Sequence, residues 1–281
     1  MTNIRNVVIG AVVSALVVGV VVSCGGGGGG SSSTPAAAVA SGTGRGAVVV
    51  DTGTGEITGG IFFSGLSGTP TSVGLYQAAA GADANPNTSI FDLDLASGVA
   101  NLPANKSLTG PQVAALQANG LYFLVKTTTF PSGEIRGQIN NTTNLTAGLG
   151  SLTNAQEVPA TAGGATGRGT LVVDSTTALI ITSVMTYNNR TGPPLLAHIH
   201  TGAAGVNGGI RVNFSPATSV ATVTDPTQPL AAQDMTDFAA GNLYFNVHTG
   251  IYGGGEIRGQ IATTTTHDVR SAALTTAQVI P

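Results

Sequence analysis

Short runs in which apolar and polar residues alternate recur along the chain and predict β-strands. Leu121 to Thr127 and Leu243 to Thr249 are two related runs of this kind. After each run come a Gly-containing turn and the heptapeptide GEIRGQI, at Gly133 to Ile139 and again at Gly255 to Ile261. Two strands joined by such a turn are typical of a β-hairpin. The sequence therefore predicts the same hairpin twice.

The two hairpins stand 122 residues apart, since the heptapeptides begin at 133 and 255, and other segments repeat in step with them. Thr43 to Asp51 matches Thr166 to Asp174 and opens each copy with a strand. Leu108 to Ala118 matches Leu230 to Ala240, where helical spacing predicts one short helix per copy. Self-similarity of this kind indicates tandem domains.

Many short strands with frequent turns and one short helix indicate an all-β fold of two tandem antiparallel β-sandwiches. We place the first domain at residues 41–140 and the second at 152–262. Residues 141–151 are polar and rich in Thr, Asn and Gly, which predicts a linker. Residues 263–281 form a tail that begins with a similar linker-like stretch.

The amino-acid composition limits which classes of binding partner the protein can have. Charged residues make up 8% of the chain and the net charge is −3. Nucleic acid and anionic surfaces require a basic stripe, so the composition argues against nucleic acid as a partner.

The amino terminus predicts export and anchoring. Residues 1–23 hold an apolar run too short to span a membrane, which is typical of a signal peptide. Cys24, the sole cysteine, follows Val-Val-Ser in a pattern that resembles the bacterial lipobox and implies lipidation. Residues 24–40 form a Gly/Ser-rich tether. We therefore expect a lipid-anchored, extracytoplasmic protein of the bacterial cell envelope; the alternative is an uncleaved anchor with an incidental cysteine.

Four motifs, taken in order, resemble the CHRD domain, first described in chordin and also found in bacterial secreted proteins. They are Leu152 to Pro159, Ala197 to His200, Asn246 to Thr249 and the second heptapeptide. The second copy resembles the family over residues 150 to 262, and the first copy resembles it in part. The resemblance implies tandem immunoglobulin-like or superoxide-dismutase-like sandwiches with no established catalytic activity.

Three histidines in the second copy are candidate metal ligands. His198 and His200 are two residues apart, so on a strand both rings point to one face. His248 lies in the strand before the second heptapeptide. Three imidazoles that converge from two strands could hold copper or zinc.

Alignment of the copies shows that the histidines are absent together from the first copy, where Gly74, Tyr76 and Lys126 replace them. Joint loss favours a shared role. A structural cluster of hydrogen-bonded histidines and unrelated surface positions are the alternatives. The H-x-H pattern also resembles copper-zinc superoxide dismutase, but that site needs six histidines and this chain has four.

The charged residues of the heptapeptide occur in both copies, with and without the histidines. We interpret them as a structural charge cluster that also includes an arginine from the opening strand of each copy. Its members are Arg45, Glu134, Arg136, Arg168, Glu256 and Arg258.

These patterns predict a lipid-anchored binding or structural module without catalysis, since no nucleophile motif or carboxylate pair is recognisable. Its partners would be the membrane and a protein or polysaccharide at the cell surface. The alternative is a copper- or zinc-binding protein, with redox activity open, whose site lies in the second domain.

The last residues of the chain repeat the opening segment of a copy, and the rest of that copy does not follow. Leu274 to Pro281 matches Leu152 to Pro159, the opening strand of the second domain, whereas no such strand precedes the first domain. An unpaired sheet edge is a template for an added strand. We therefore expect the strand at 274–280 to fold back and complete the first domain. The alternatives are that each such strand completes the body before it, or that the tail enters a neighbouring molecule and builds a head-to-tail chain.

Overall fold

The structure, a computed structural model, describes residues 38–83 and 88–280. The predicted signal peptide, Cys24 and most of the tether lie outside the described residues. The described residues form two β-rich bodies within one compact unit that begins at Ala38. Neither of the helices described is long and apolar enough to cross a membrane.

The first body contains ten strands and one helix before residue 142: β1 (Thr43–Val50), β2 (Glu56–Ser64), β3 (Pro70–Gln77), β4 (Phe91–Asp92), β5 (Asp94–Ala96), β6 (Val99–Asn101), β7 (Lys106–Ser107), α1 (Gly110–Gln117), β8 (Leu121–Thr127), β9 (Ile135–Gln138) and β10 (Asn140–Asn141).

The remaining strands and the second helix follow: β11 (Leu145–Thr153), β12 (Thr166–Asp174), β13 (Ile180–Asn188), β14 (Pro194–Thr201), β15 (Ile210–Pro216), β16 (Val220–Val223), α2 (Ala232–Ala239), β17 (Leu243–Thr249), β18 (Ile257–Gln260), β19 (Ala262–Thr264) and β20 (Asp268–Thr275).

Both predicted hairpins are confirmed, and they share one register. In the first body β8 pairs antiparallel with β9, with Tyr122 opposite Gln138. In the second body β17 pairs with β18, with Tyr244 opposite Gln260. The two short helices are confirmed as well. Each begins with a backbone N–H bound by a side chain three residues later, Gln112 for α1 and Asp234 for α2.

The predicted all-β class with two helices is confirmed, but each body is one continuous sheet. In the first body the strand order is β4-β3-β8-β9-β20-β1-β2-β6-β5. In the second body the order is β12-β13-β16-β15-β14-β17-β18-β11, and β11 also pairs with β12, so this sheet closes on itself. The expectation of two separate sheets per domain was therefore wrong in this detail. The two sheets of a sandwich end in edge strands, whereas here the strands at those positions pair with a neighbour on both sides and join the sheets into one.

The linker predicted at 141–151 is wrong, because most of it is strand β11. Residues 145–153 pair along their full length with β12. The glycines that suggested a linker serve packing, since a Cβ at Gly150 would lie 3.0 Å from a ring carbon of Phe245. Aromatic side chains of the core thus fill the space that larger residues of β11 would need.

The tail also differs from the expectation, because β20 begins at Asp268, inside the stretch taken for a second linker. β20 pairs with β1 along eight residues and with β9 through Thr275 and Arg136. A 3-10 turn at Thr276–Gln278 follows, where a strand was expected. The side chain of Gln278, in this turn, accepts a hydrogen bond of 3.0 Å from the backbone N–H of Gln138. The end of the chain therefore lies in the first body.

Two hydrophobic cores fill the bodies and a third cluster joins them. The joining cluster contains Ala47 and Val49 of β1, Ala147 of β11 and Val172 of β12, all at most 1% exposed. A hydrogen bond of 2.8 Å links the hydroxyls of Thr58 and Thr170 across the same junction. The opening strands of the two copies thus pack against each other.

Candidate functional site

Strand alternation places the histidines on the outer face of the second body. In β14, Ala197 and Ile199 face the core, so His198 and His200 point to the opposite face. His248 of β17 shares that face, because its neighbour Val247 is a core residue. All three imidazoles are nevertheless buried, with 5%, 9% and 8% of their surface exposed. They therefore lie in a covered polar layer outside the main core.

The three imidazoles form one cluster. One ligand atom from each histidine can be chosen so that all lie within 4.8 Å of one another. His198 Nδ1 is 3.1 Å from His248 Nε2, and the ring of His198 is 5.2 Å from that of His200. Nitrogens bound to one metal at about 2.0–2.1 Å lie within about 4 Å of each other, so small side-chain movements would close the site. The interpretation as unrelated surface positions was wrong.

Main-chain carbonyls fix the proton on two of the rings. His200 Nδ1 is 3.0 Å from the oxygen of Gly208, and His248 Nδ1 is 3.0 Å from the oxygen of Gly253. Because a carbonyl oxygen only accepts, both Nδ1 atoms donate and both Nε2 atoms keep a lone pair. Metal-binding histidines are oriented in this way.

Burial keeps the cluster neutral. It lowers the pKa of His198 to about 4, with smaller effects from the neighbouring imidazoles of His248 and His200. Burial also lowers the pKa of His200 and of His248, although each gains a hydrogen bond to a carbonyl. At neutral pH each ring therefore offers one nitrogen to a metal without loss of a proton. In His198 this nitrogen is Nε2, because Nδ1 donates to His248 Nε2.

One nitrogen of the cluster has no hydrogen-bond partner in the part of the chain that the structure describes. His200 Nε2 is buried and has no hydrogen-bond partner among the described residues. Leaving a buried polar atom unpaired costs about 1–3 kcal/mol. A hydrogen-bond donor or a metal ion at this atom would remove this cost.

Aromatic and charged residues support the cluster from the side. The ring of Tyr244 stacks on His200, with centroids 5.1 Å apart and planes 10° apart. The guanidinium of Arg258 lies 3.5 Å from the centre of the Tyr244 ring. Nearby, Asn246 Nδ2 donates to Glu157 Oε2 at 3.3 Å. Burial raises the pKa of Glu157 to about 7, against the lowering effects of Asn246 and Arg258.

The first body fills the same face with apolar and aromatic groups. Tyr76 stacks on Tyr122 at 5.4 Å, and the guanidinium of Arg136 lies 3.9 Å from the Tyr122 centre. These tyrosines form a buried cluster with Leu124. The same register places Tyr76 opposite Tyr122 and His200 opposite Tyr244. One backbone therefore carries an apolar layer in one copy and an imidazole layer in the other.

The heptapeptide residues have structural partners, but they do not form the single cluster that was expected. Glu134 and Glu256 accept hydrogen bonds at 2.7 Å from the hydroxyls of Thr127 and Thr249. Within the described residues no ion pair joins these glutamates to the arginines two positions later. The reason is that each glutamate caps the turn before the strand, where hydroxyl and N–H donors surround it.

The arginines of the heptapeptide instead bind a glutamine two residues further along the same face of the strand. Arg136 donates to Gln138 at 3.0 Å and Arg258 donates to Gln260 at 3.1 Å. Arg45 and Arg168 do not join them, because both point to the other body. Arg45 donates to the carbonyl oxygens of Ile180 and Pro226, and Arg168 pairs with Glu56. These two arginines therefore bridge the bodies.

Sequence reasoning missed Glu157 and Asn246 as site residues. Their counterparts in the first copy, at the period of 122 residues, are Val279 and Leu124. A polar pair in one copy against an apolar pair in the other is the signal that would have found them. Cys24 cannot be placed, since it lies outside the described residues.

These features define a class: a tandem antiparallel β protein whose equivalent outer faces carry stacked tyrosines in one domain and an imidazole cluster in the other. The CHRD domain family model matches residues 29–139 and 150–261, and the chain belongs to this family. The match includes the first copy, for which only partial similarity was expected. Neither the curated proteins nor the solved structures gave a match to this chain.

Proposed function

We propose that this protein is a lipid-anchored binding module of the bacterial cell envelope whose second CHRD domain binds one copper or zinc ion. His198, His200 and His248 are the ligands. The observation that carries this proposal is the fixed Nδ1 hydrogen bond of His200 and of His248, which leaves both Nε2 atoms as acceptors in a buried cluster. Among the described residues His200 Nε2 has no partner, and His248 Nε2 faces His198 Nδ1 at 3.1 Å.

The donor set points to the metal. Imidazole suits zinc and copper, whereas magnesium and calcium require several oxygen ligands. A neutral three-imidazole set with a fourth position open is a common arrangement for zinc. The first domain, whose equivalent face is apolar, is the structural partner in this proposal.

The test is metal loading of the purified full chain after chelator treatment, measured by elemental analysis and by competition with a chelator. We expect about one copper or zinc ion per chain. His200→Tyr should reduce metal affinity by more than about 100-fold, because it removes a ligand outright and so exceeds the usual effect of second-shell changes. Tyr should fit, since Tyr76 occupies the equivalent position and stacks in the same way.

The matched control is Tyr76→His, which makes the reverse exchange in the first copy. It adds one imidazole beside Gly74 and Lys126 and should leave the stoichiometry unchanged. A wild-type chain that holds no metal, or a His200→Tyr variant that holds it equally well, would contradict the proposal.

A further inference from the structure

Asn246 and Glu157 occur only in the copy that carries the imidazoles. Asn246 lies directly opposite His198 in the β14–β17 ladder, as Leu124 lies opposite Gly74 in the first body. Residues in such cross-strand pairs have Cβ atoms about 4.5–5.5 Å apart. Asn246 also precedes His248 by two residues and so shares its face. Its amide is therefore a neighbour of two of the three proposed ligands.

The Asn246 and Glu157 side chains are bound to each other, yet each keeps an unused oxygen. Asn246 Nδ2 donates to Glu157 Oε2. Asn246 Oδ1 and Glu157 Oε1 are buried and accept no hydrogen bond from any residue that the structure describes. Together with His200 Nε2, they are three of the five buried side-chain atoms without a partner in that part of the chain. All three can accept a hydrogen bond or a metal.

Gly255 leaves room for these two oxygens, which occupy the space that a side chain at this position would need. A Cβ at this position would lie 2.5 Å from Asn246 Oδ1 and 2.7 Å from Glu157 Oε1. Its φ of +128° also disfavours any other residue. In the first copy the equivalent Gly133 faces the apolar side chain of Leu124. In the second copy two buried hydrogen-bond acceptors thus fill the same space.

We propose that Asn246 and Glu157 are positioning residues for the fourth ligand of the metal. Their free oxygens accept hydrogen bonds from a water molecule bound to the ion. Above about pH 8, the condition used in the test below, Glu157 is ionised and both groups only accept at these atoms. The fourth position should then favour a ligand that donates hydrogen bonds and disfavour a bare anion. This inference rests on the proposed function, since it requires a metal held by the three histidines.

Azide is a suitable probe, because it binds Cu(II) but brings no hydrogen to donate. The purified full chain, loaded with Cu(II), is titrated with azide above about pH 8 while the charge-transfer absorption is followed. Asn246→Leu installs the residue of the first copy and removes one acceptor. Glu157→Gln keeps the shape and replaces a carboxylate oxygen by a donor. Both variants should bind azide about tenfold more tightly than wild type, the effect of roughly one hydrogen bond.

Leu124→Asn, the reverse exchange in the first copy, is the control and should leave the azide affinity unchanged. If both variants bind azide as wild type does, or more weakly, the inference is overturned. If Asn246→Leu does not load copper, the isosteric Glu157→Gln variant decides by the same criterion. A wild-type chain that loads no copper rejects the proposed function itself, so the two failures are distinguishable.

Discussion

At the scale of single residues, the proposed metal site depends on a few positions of one outer face. His198 lies opposite Asn246 in the same register that places Gly74 opposite Leu124. The backbone therefore accepts either set of side chains, and the site is a substitution pattern added to a shared fold. The histidines of the second copy are held neutral by burial, as metal ligands must be.

Glu157 should make the stability of the second domain depend on pH. Burial raises its pKa from 4.5 to about 7, so the folded chain holds a proton that the unfolded chain releases above pH 4.5. Wild type therefore loses stability between pH 4.5 and 7, by roughly 3 kcal/mol in total for such a shift. Glu157→Gln has no carboxyl group to titrate at this position. As pH rises from 4 to 8, its free energy of unfolding should therefore increase by that amount relative to wild type.

Urea unfolding of the metal-free proteins at several pH values measures this difference. The histidines titrate in both proteins, so their contribution cancels in the comparison. A difference between wild type and variant that stays constant from pH 4 to 8 would show that Glu157 does not carry the raised pKa.

At the scale of elements, the heptapeptide strand organises each body. Gln260 Nε2 donates to the carbonyl oxygens of Gly202, Gly241 and Leu243, all within 3.1 Å. Gln138 makes three equivalent bonds in the first body. An amide that binds three carbonyl oxygens cannot be exchanged without leaving carbonyls unpaired. This accounts for the same heptapeptide in both copies, whatever the neighbouring face carries.

The strand at the end of the chain should stabilise the first body. Leu274 of β20 and Leu152 of β11 are equivalent and are both 0% exposed, but they belong to different cores. Truncation of either to alanine should cost about 2–5 kcal/mol. Leu274→Ala should raise amide hydrogen exchange in β1 and β9, and Leu152→Ala should raise it in β12 and β18. If Leu274→Ala leaves β1 and β9 protected, β20 does not support the first body.

At the scale of the whole molecule, the chain order and the spatial order differ. The first body is completed by the last strand, so the second body is enclosed between two segments of the first in sequence. The bodies also share a buried cluster, and Arg45 and Arg168 reach across the junction in opposite directions. The two domains therefore stabilise each other through this junction.

The lipid anchor belongs to this scale as well, and it is a prediction from the sequence alone. Wild-type protein should fractionate with membranes and incorporate a labelled fatty acid. Cys24→Ser should abolish the label and leave the precursor uncleaved, because the thiol is the site of acylation. Ser33→Ala, a change within the tether, should behave as wild type. Normal labelling of Cys24→Ser would contradict the anchor.

The sequence by itself determined the two copies, their hairpins, their short helices and the three histidines of the second copy. Hydrophobic alternation and exact repetition are local signals, and comparison of the copies showed where they differ. The heptapeptide was also recognised as structural, although its partners were not.

Only the tertiary structure decided the rest, because it depended on contacts between distant residues. β11 and β20 have compositions typical of linkers. In β11 the glycines are needed because aromatic rings of the core occupy the space beside Gly148 and Gly150. In β20 small residues make up much of the strand. The burial of His198, His200 and His248 depends on loops that cover an outer face, which strand alternation cannot show. The role of Glu157 arises in the same way, because its raised pKa comes from the surroundings and not from its own segment.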